Sequence, residues 1–165
     1  MKLIIGLGNP GGQYKSNRHN VGHIVIDALA SGKVRPSKLN LYKGLTLKKS
    51  DKFMNDSGSF VSELVSRFQV LASNLYVIHD DLDIRLGEFK IQFGKGPKVH
   101  NGLNDIYDNL GNKDFWHVRV GIDSRTKDQR LKTKGEEYVL EDFTDEEKVI
   151  LDKVIKEICK KLATL

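Results

Sequence analysis

The chain is predicted to be an α/β protein: one domain over residues 1–165, built as a twisted mixed sheet with helices on both faces, three layers in all. Three observations predict it. Short apolar runs, each closed by glycine or by acidic residues, recur along the chain as strands do. The stretches between them place apolar residues at helical spacing. A length of 165 residues, 39% of them hydrophobic, suits one sizeable core.

The elements follow in order. Lys2 to Leu7 is short, apolar and shut by glycines, a buried strand. Val21, Val25, Ala28 and Leu29 mark one face of a helix that stops near Gly32. Residues 33–50 are the least patterned, with Leu45-Thr46-Leu47 a weak strand. Val61, Leu64, Val65 and Phe68 predict a helix starting after Ser57 or Ser59. Leu75 to Ile78 reads as a buried strand running out into acid. Phe89, Ile91 and Phe93 alternate, as do Trp116, Val118, Val120 and Ile122, which predicts two half-buried strands. Leu103, Ile106, Tyr107 and Leu110 form a helical stripe between them, ended by Gly111. The last helix opens at a capping box, Thr144 to Glu147, and buries Leu151, Val154, Ile155, Ile158 and Leu162.

Composition excludes several classes. Charged residues at 30% and a mean hydropathy of −0.41 suit a soluble protein. No run approaches the ~18 apolar residues of a spanning helix, so no membrane is expected. The N-terminal apolar run reaches Gly6 too soon for a signal-peptide core, which makes the cytoplasm the expected address. The single Cys159 excludes an internal disulfide and, with five scattered histidines, speaks against a zinc site. A net charge of +5 favours an anionic partner, nucleic acid first.

The residues with chemistry collect in the loops after strands, where open α/β sheets carry function. Gly6-Leu7-Gly8-Asn9-Pro10-Gly11 fits the dinucleotide pattern G-x-G-x-x-G. Against that reading, Pro10 has no amide hydrogen to offer a pyrophosphate, and no helix opens at Gly11. His19 lies just ahead of a helix for which Asn20 is the expected N-cap, and the positive end of the dipole would hold its imidazole neutral. A neutral imidazole can act as a general base. Asp80 heads the acidic run Asp80-Asp81-Leu82-Asp83 and is the carboxylate best placed to enter a site, whereas Asp83 reads as structural. Asn9, Asn55 and Asn101 come from three different loops. Amides to position a carbonyl, one base, one orienting carboxylate and no nucleophilic Ser or Cys describe water-mediated acyl hydrolysis.

The motifs Gly-Leu-Gly-Asn-Pro-Gly with Tyr14, Arg18-His19-Asn20-x-Gly22, Phe53-Met54-Asn55-x-Ser57-Gly58, His79-Asp80-Asp81-Leu82-Asp83, His100-Asn101-Gly102-Leu103 and Arg119-Val120-Gly121-Ile122 occur in this order. With them the chain resembles the bacterial-type peptidyl-tRNA hydrolases over nearly its full length. The resemblance implies a monomer that cleaves the ester between a peptide and the 3′ ribose of tRNA; no metal or cofactor is expected, since no ligand set with coherent spacing appears in the sequence. It implies His19 as general base, Asp80 as the carboxylate holding its basic form, and Asn9 as a peptide contact. Tyr14, Phe53, Asn55 and Asn101 would line the substrate channel, with Met54 shaping its apolar wall. From Asp123 onward the chain is polar, and it reads as a mobile loop beside the site. Its Arg125, Lys127, Arg130 and Lys132, together with Lys98, are candidates for tRNA phosphates.

The chain departs from the family pattern at several places. Pro97-Lys98-Val99 replaces a stretch usually rich in glycine, Gln92 stands at a position often basic, and Ser50 at one often proline. Residues 31–50 look shortened, which would trim one sheet element. The altered loop keeps a second reading open, a non-catalytic tRNA- or ribosome-binding protein on the same scaffold.

Overall fold

The computed structural model describes residues 1–32 and 44–165. Five strands form one sheet in the order β2-β1-β3-β5-β4. They are β1 (Lys2–Gly6), β2 (Leu45–Lys49), β3 (Leu75–Arg85), β4 (Phe89–Phe93) and β5 (Trp116–Asp123). The β1–β2, β1–β3 and β3–β5 pairs are parallel; β4 runs antiparallel along β5 at the edge, which makes the sheet mixed as expected. Alternation along β1 sends Ile4 to one face and Leu3 and Ile5 to the other, so both faces are buried.

Each face is covered by its own helices. Ile4, Tyr76 and Ile78 pack with α1 (Val21–Ser31) and α6 (Asp145–Ala163), whose stripe from Leu151 to Leu162 is buried as its periodicity predicts. Leu3, Ile5 and Val77 pack with α2 (Ser57–Phe68) and α3 (Asn101–Leu110). Three of the expected caps are present. Gly32 and Gly111 are left-handed C-caps, and Thr144 with Glu147 forms the reciprocal capping box.

The glycines of the first loop are explained by packing. A Cβ on Gly6 would lie 2.2 Å from the Gly22 carbonyl oxygen, and one on Gly22 would lie 2.4 Å from that of Ile78. Two facing glycines therefore let α1 sit directly on β1 and β3. That helix opens at Val21, after two short 3₁₀ turns at Gly12–Tyr14 and Arg18–Asn20, so Gly11 does not begin it. The dinucleotide arrangement, in which the helix N-terminus meets the glycine loop, is not formed.

Two expectations need correction. The strand begun at Leu75 does not end at Ile78 but carries Asp80 and Asp81 inside it, both buried. Buried carboxylates survive in a strand only with partners, and each of these has them, as described below. The basic segment after Asp123 is not a loop throughout. It forms the short helices α4 (Lys127–Lys132) and α5 (Gly135–Tyr138), the first closed by a capping box between Thr126 and Gln129. The expected shortening of residues 31–50 falls mainly on residues 33–43, outside the described ones. β2, just after them, is fully paired with β1. Ser50 donates its N–H to the Gly6 carbonyl at 3.0 Å, a bond proline could not make.

Candidate active site

Asp80 is the centre of the site. Its carboxylate receives His19 Nδ1 at 2.9 Å and His100 Nε2 at 2.9 Å, while His79 Nδ1 bonds its backbone carbonyl at 2.9 Å. The backbone fixes the tautomer of His100. The Leu103 N–H, at the start of α3, donates to His100 Nδ1 at 3.2 Å, so the ring proton belongs on Nε2 and is donated to Asp80. His19 likewise presents an Nδ1 proton to Asp80, which leaves its Nε2 lone pair without a partner among the described residues.

The ligand atoms of His19, Asp80 and His100 lie within 4.8 Å of one another, a spacing that could hold a cation. The chemistry of the set argues otherwise. A metal on His100 Nε2 would displace its proton to Nδ1, where it would face the Leu103 N–H, donor against donor.

Charge follows the same geometry. Burial opposes a charge on His19, but the Asp80 carboxylate and its hydrogen bond outweigh burial and raise the imidazole above its ordinary 6.5. Burial would raise Asp80, yet the two imidazoles facing it hold it far below the ordinary carboxylate range. His79, fully enclosed, is driven by burial well below 6.5 and stays neutral. The dipole-based expectation for His19 is thus corrected: the carboxylate, and not the end of α1, sets its basicity. Nor does Asn20 cap α1 with its side chain. It clasps the backbone of Asn9 instead, accepting from the Asn9 N–H at 2.9 Å and donating Nδ2 to the Asn9 carbonyl at 2.9 Å.

That clasp sets Asn9. Its Oδ1 accepts from the Met54 N–H at 2.7 Å, and its Nδ2 has no partner among the described residues. The Met54 tie also brings the start of α2 to the first loop. Asn9, His19, Phe53, Met54, Asn55 and Asn101 all line one cleft of about 720 Å³ with Asp80 and His100 at its base. Tyr14 stands outside the lining and meets Phe53 edge-on, ring centroids 6.3 Å apart. None of the described lining residues is Ser, Thr or Cys.

The far wall comes from α5 and the residues flanking it, Lys134, Val139 and Leu140. The His19 N–H donates to the Val139 carbonyl at 2.8 Å, and the Arg18 N–H to that of Glu141 at 3.1 Å. Buried Arg18 reaches Glu147 at 2.6 Å and lies 3.8 Å over the Tyr138 ring. Sequence reasoning named neither Arg18 nor Glu147 for this task. The only available signal was a cation beside His19 and an acid at the third position of the last helix.

The expected tRNA contacts separate into two groups. Lys98, Lys127 and Lys132 are exposed, and Lys98 is tied only through its backbone N–H to Asp83 Oδ2 at 2.8 Å. Arg125 is only 9% exposed. Its guanidinium is engaged by Asp123 at 2.9 Å, by the Thr133 carbonyl at 2.8 Å and by the Tyr138 ring, which removes it from the candidates. Arg130 is half-exposed and also pairs with Asp123, at 3.0 Å. Arg119 is buried, donating to Asp81 at 2.7 Å and to Gln92 at 2.7 Å.

Fold and site together define an α/β protein whose cleft brings a histidine–aspartate pair together with three carboxamides. Comparison with known proteins narrows the class. Residues 3–165 match the family model of peptidyl-tRNA hydrolase, and the chain belongs to that family. The peptidyl-tRNA hydrolase of Pelagibacter ubique is 36% identical over all of this chain and 92% of its own length. That of Lawsonia intracellularis is 43% identical over 73% of this chain and 66% of its own length. The crystal structure of the Acinetobacter baumannii peptidyl-tRNA hydrolase superposes with a TM-score of 0.78 at 28% identity, covering 98% of this chain and 86% of that one.

Proposed function

We propose that the chain hydrolyses the ester between a peptide, or an N-blocked aminoacyl group, and the 3′ ribose of tRNA, with His19 as general base. Membership of the peptidyl-tRNA hydrolase family supports the reaction. The observation that carries the mechanism is the His19–Asp80 contact at 2.9 Å, which leaves Nε2 as the free nitrogen in the cleft. Nε2 takes a proton from water as its oxygen attacks the ester carbonyl carbon. The tetrahedral intermediate then expels the 3′ oxygen, which takes the proton back, giving free peptide and free tRNA. Asp80 stabilises the imidazolium formed in between, and a base positioned as His19 is contributes about 10²–10⁴-fold. The Asn9 Nδ2 and the amides of Asn55 and Asn101 hold the peptide through its backbone, a mode of contact indifferent to side chains.

Asp83, through its bond to Lys98, holds the loop beside His100 in place. Lys98, Lys127, Lys132 and the exposed part of Arg130 meet the acceptor-stem phosphates. The protein acts as a single domain over 1–165 and as a monomer in the cytoplasm. No described helix is long and apolar enough to cross a membrane. Single-turnover hydrolysis of an N-acetylated aminoacyl-tRNA at enzyme excess is the test. Ester cleavage is expected; bound but intact ester would make the protein a tRNA binder and overturn the reading.

A further inference from the structure

Three large apolar side chains stand in water at the cleft: Val99 is 75% exposed, Phe53 55% and Leu140 51%. They come from three separate segments, and each adjoins a residue bonded to the catalytic groups. Phe53 precedes Met54, whose N–H holds Asn9. Val99 precedes His100, which holds Asp80. Leu140 follows Val139, whose carbonyl holds the His19 N–H. Val99 is fixed on both sides, because the preceding Lys98 N–H is bonded to Asp83. A β-branched side chain on so pinned a backbone loses little further freedom when something packs on it.

We propose that these three residues form a selectivity rim that favours peptides whose esterified, C-terminal residue carries an apolar side chain. The proposal rests on the hydrolase reading and adds to it. The carboxamides hold the backbone of any peptide, while the rim weights the side chain beside the scissile carbonyl. Fixing the rim to the groups that hold Asn9, Asp80 and His19 keeps that side chain in register with the His19 Nε2. An apolar side chain covering Val99, Phe53 and Leu140 removes their exposed surface from water, and the gain grows with the size of that side chain. An apolar pocket of this kind discriminates by roughly tenfold or somewhat more.

The experiment compares N-acetyl-leucyl and N-acetyl-alanyl esters on one and the same tRNA body, read as kcat/KM. The leucyl ester is expected to be preferred roughly tenfold, and Val99→Ser to reduce the preference to about threefold or less. Leu140→Ser, on a different segment, is expected to reduce it as well. Equal rates on the two esters in the unmodified protein would overturn the rim, and so would a preference that survives both substitutions. Failure to cleave either ester would instead overturn the hydrolase reading on which the rim depends.

Discussion

Two buried carboxylates on the neighbouring parallel strands β3 and β5 grip two side chains each, to opposite ends. Asp80 holds the imidazoles of His19 and His100; Asp123 holds the guanidiniums of Arg125 and Arg130. The distances are alike, between 2.9 and 3.0 Å. The partners differ in whether their charge can change. An imidazole can exist with or without its second proton, whereas a guanidinium stays charged throughout. The same grip therefore leaves groups that can exchange protons at Asp80 and makes a fixed brace at Asp123, which ties α4 and Tyr138 to the end of β5.

The largest effects are expected at Asp80. His19→Ala should lower kcat/KM by about 10²–10⁴-fold while leaving the thermal transition cooperative. Asp80→Asn should slow turnover and also move the acid limb of the pH–rate profile. The sign follows from the forces on His19. In the unmodified protein the limb lies above pH 6.5, because the carboxylate raises the imidazole and protonation at lower pH removes the base. With Asn at position 80 only burial remains to act on His19, so the limb moves to lower pH. A limb that stays in place in Asp80→Asn would separate the two residues functionally and break the contrast.

Much of this was legible in the sequence, for identifiable reasons. Helices α3 and α6 and strand β4 follow apolar periodicity, which depends only on which face is buried. The capping signature Thr126-x-x-Gln129 was also in plain view, but the density of charge around it suggested a loop. Asn9, His19 and Asp80 could be picked out because the first lies in a glycine loop after a strand, the second just ahead of a helix and the third at the acidic exit of an apolar run. Their partners could not. That Asn20 clasps Asn9, that His100 shares Asp80 and that Arg125 is buried against Asp123 depend on how the folded chain brings side chains together, and charge and residue type are silent about pairing. Counting cations after Asp123 therefore overstated the surface open to RNA.

The brace at Asp123 should respond in stability. Arg125→Ala removes the pair with Asp123, the bond to the Thr133 carbonyl and the face contact with Tyr138, while Arg130 still compensates part of the buried charge. Breaking one side of such a buried pair costs about 3 kcal/mol. Chemical denaturation should show that loss, and the acid limb set by His19 should stay where it is. An unaltered midpoint would mean that Asp123 does not use Arg125 as a brace.

The smallest effect belongs to the exposed lysines, and it concerns binding alone. Lys127 and Lys132 are exposed and can release counterions from a phosphate backbone, which Arg125 cannot do while its guanidinium is held. Replacing both with alanine should reduce the slope of log affinity for tRNA against log salt by about 0.9 for every phosphate no longer neutralised. Two such phosphates correspond to roughly tenfold weaker binding at low salt than at the unmodified surface, fading as salt rises. The unfolding midpoint should hardly move, the reverse of Arg125→Ala. Should the double substitution leave the salt slope intact, the RNA must be gripped elsewhere, and with the arginines held by Asp123 the next surface to test is the exposed Lys98 beside the cleft.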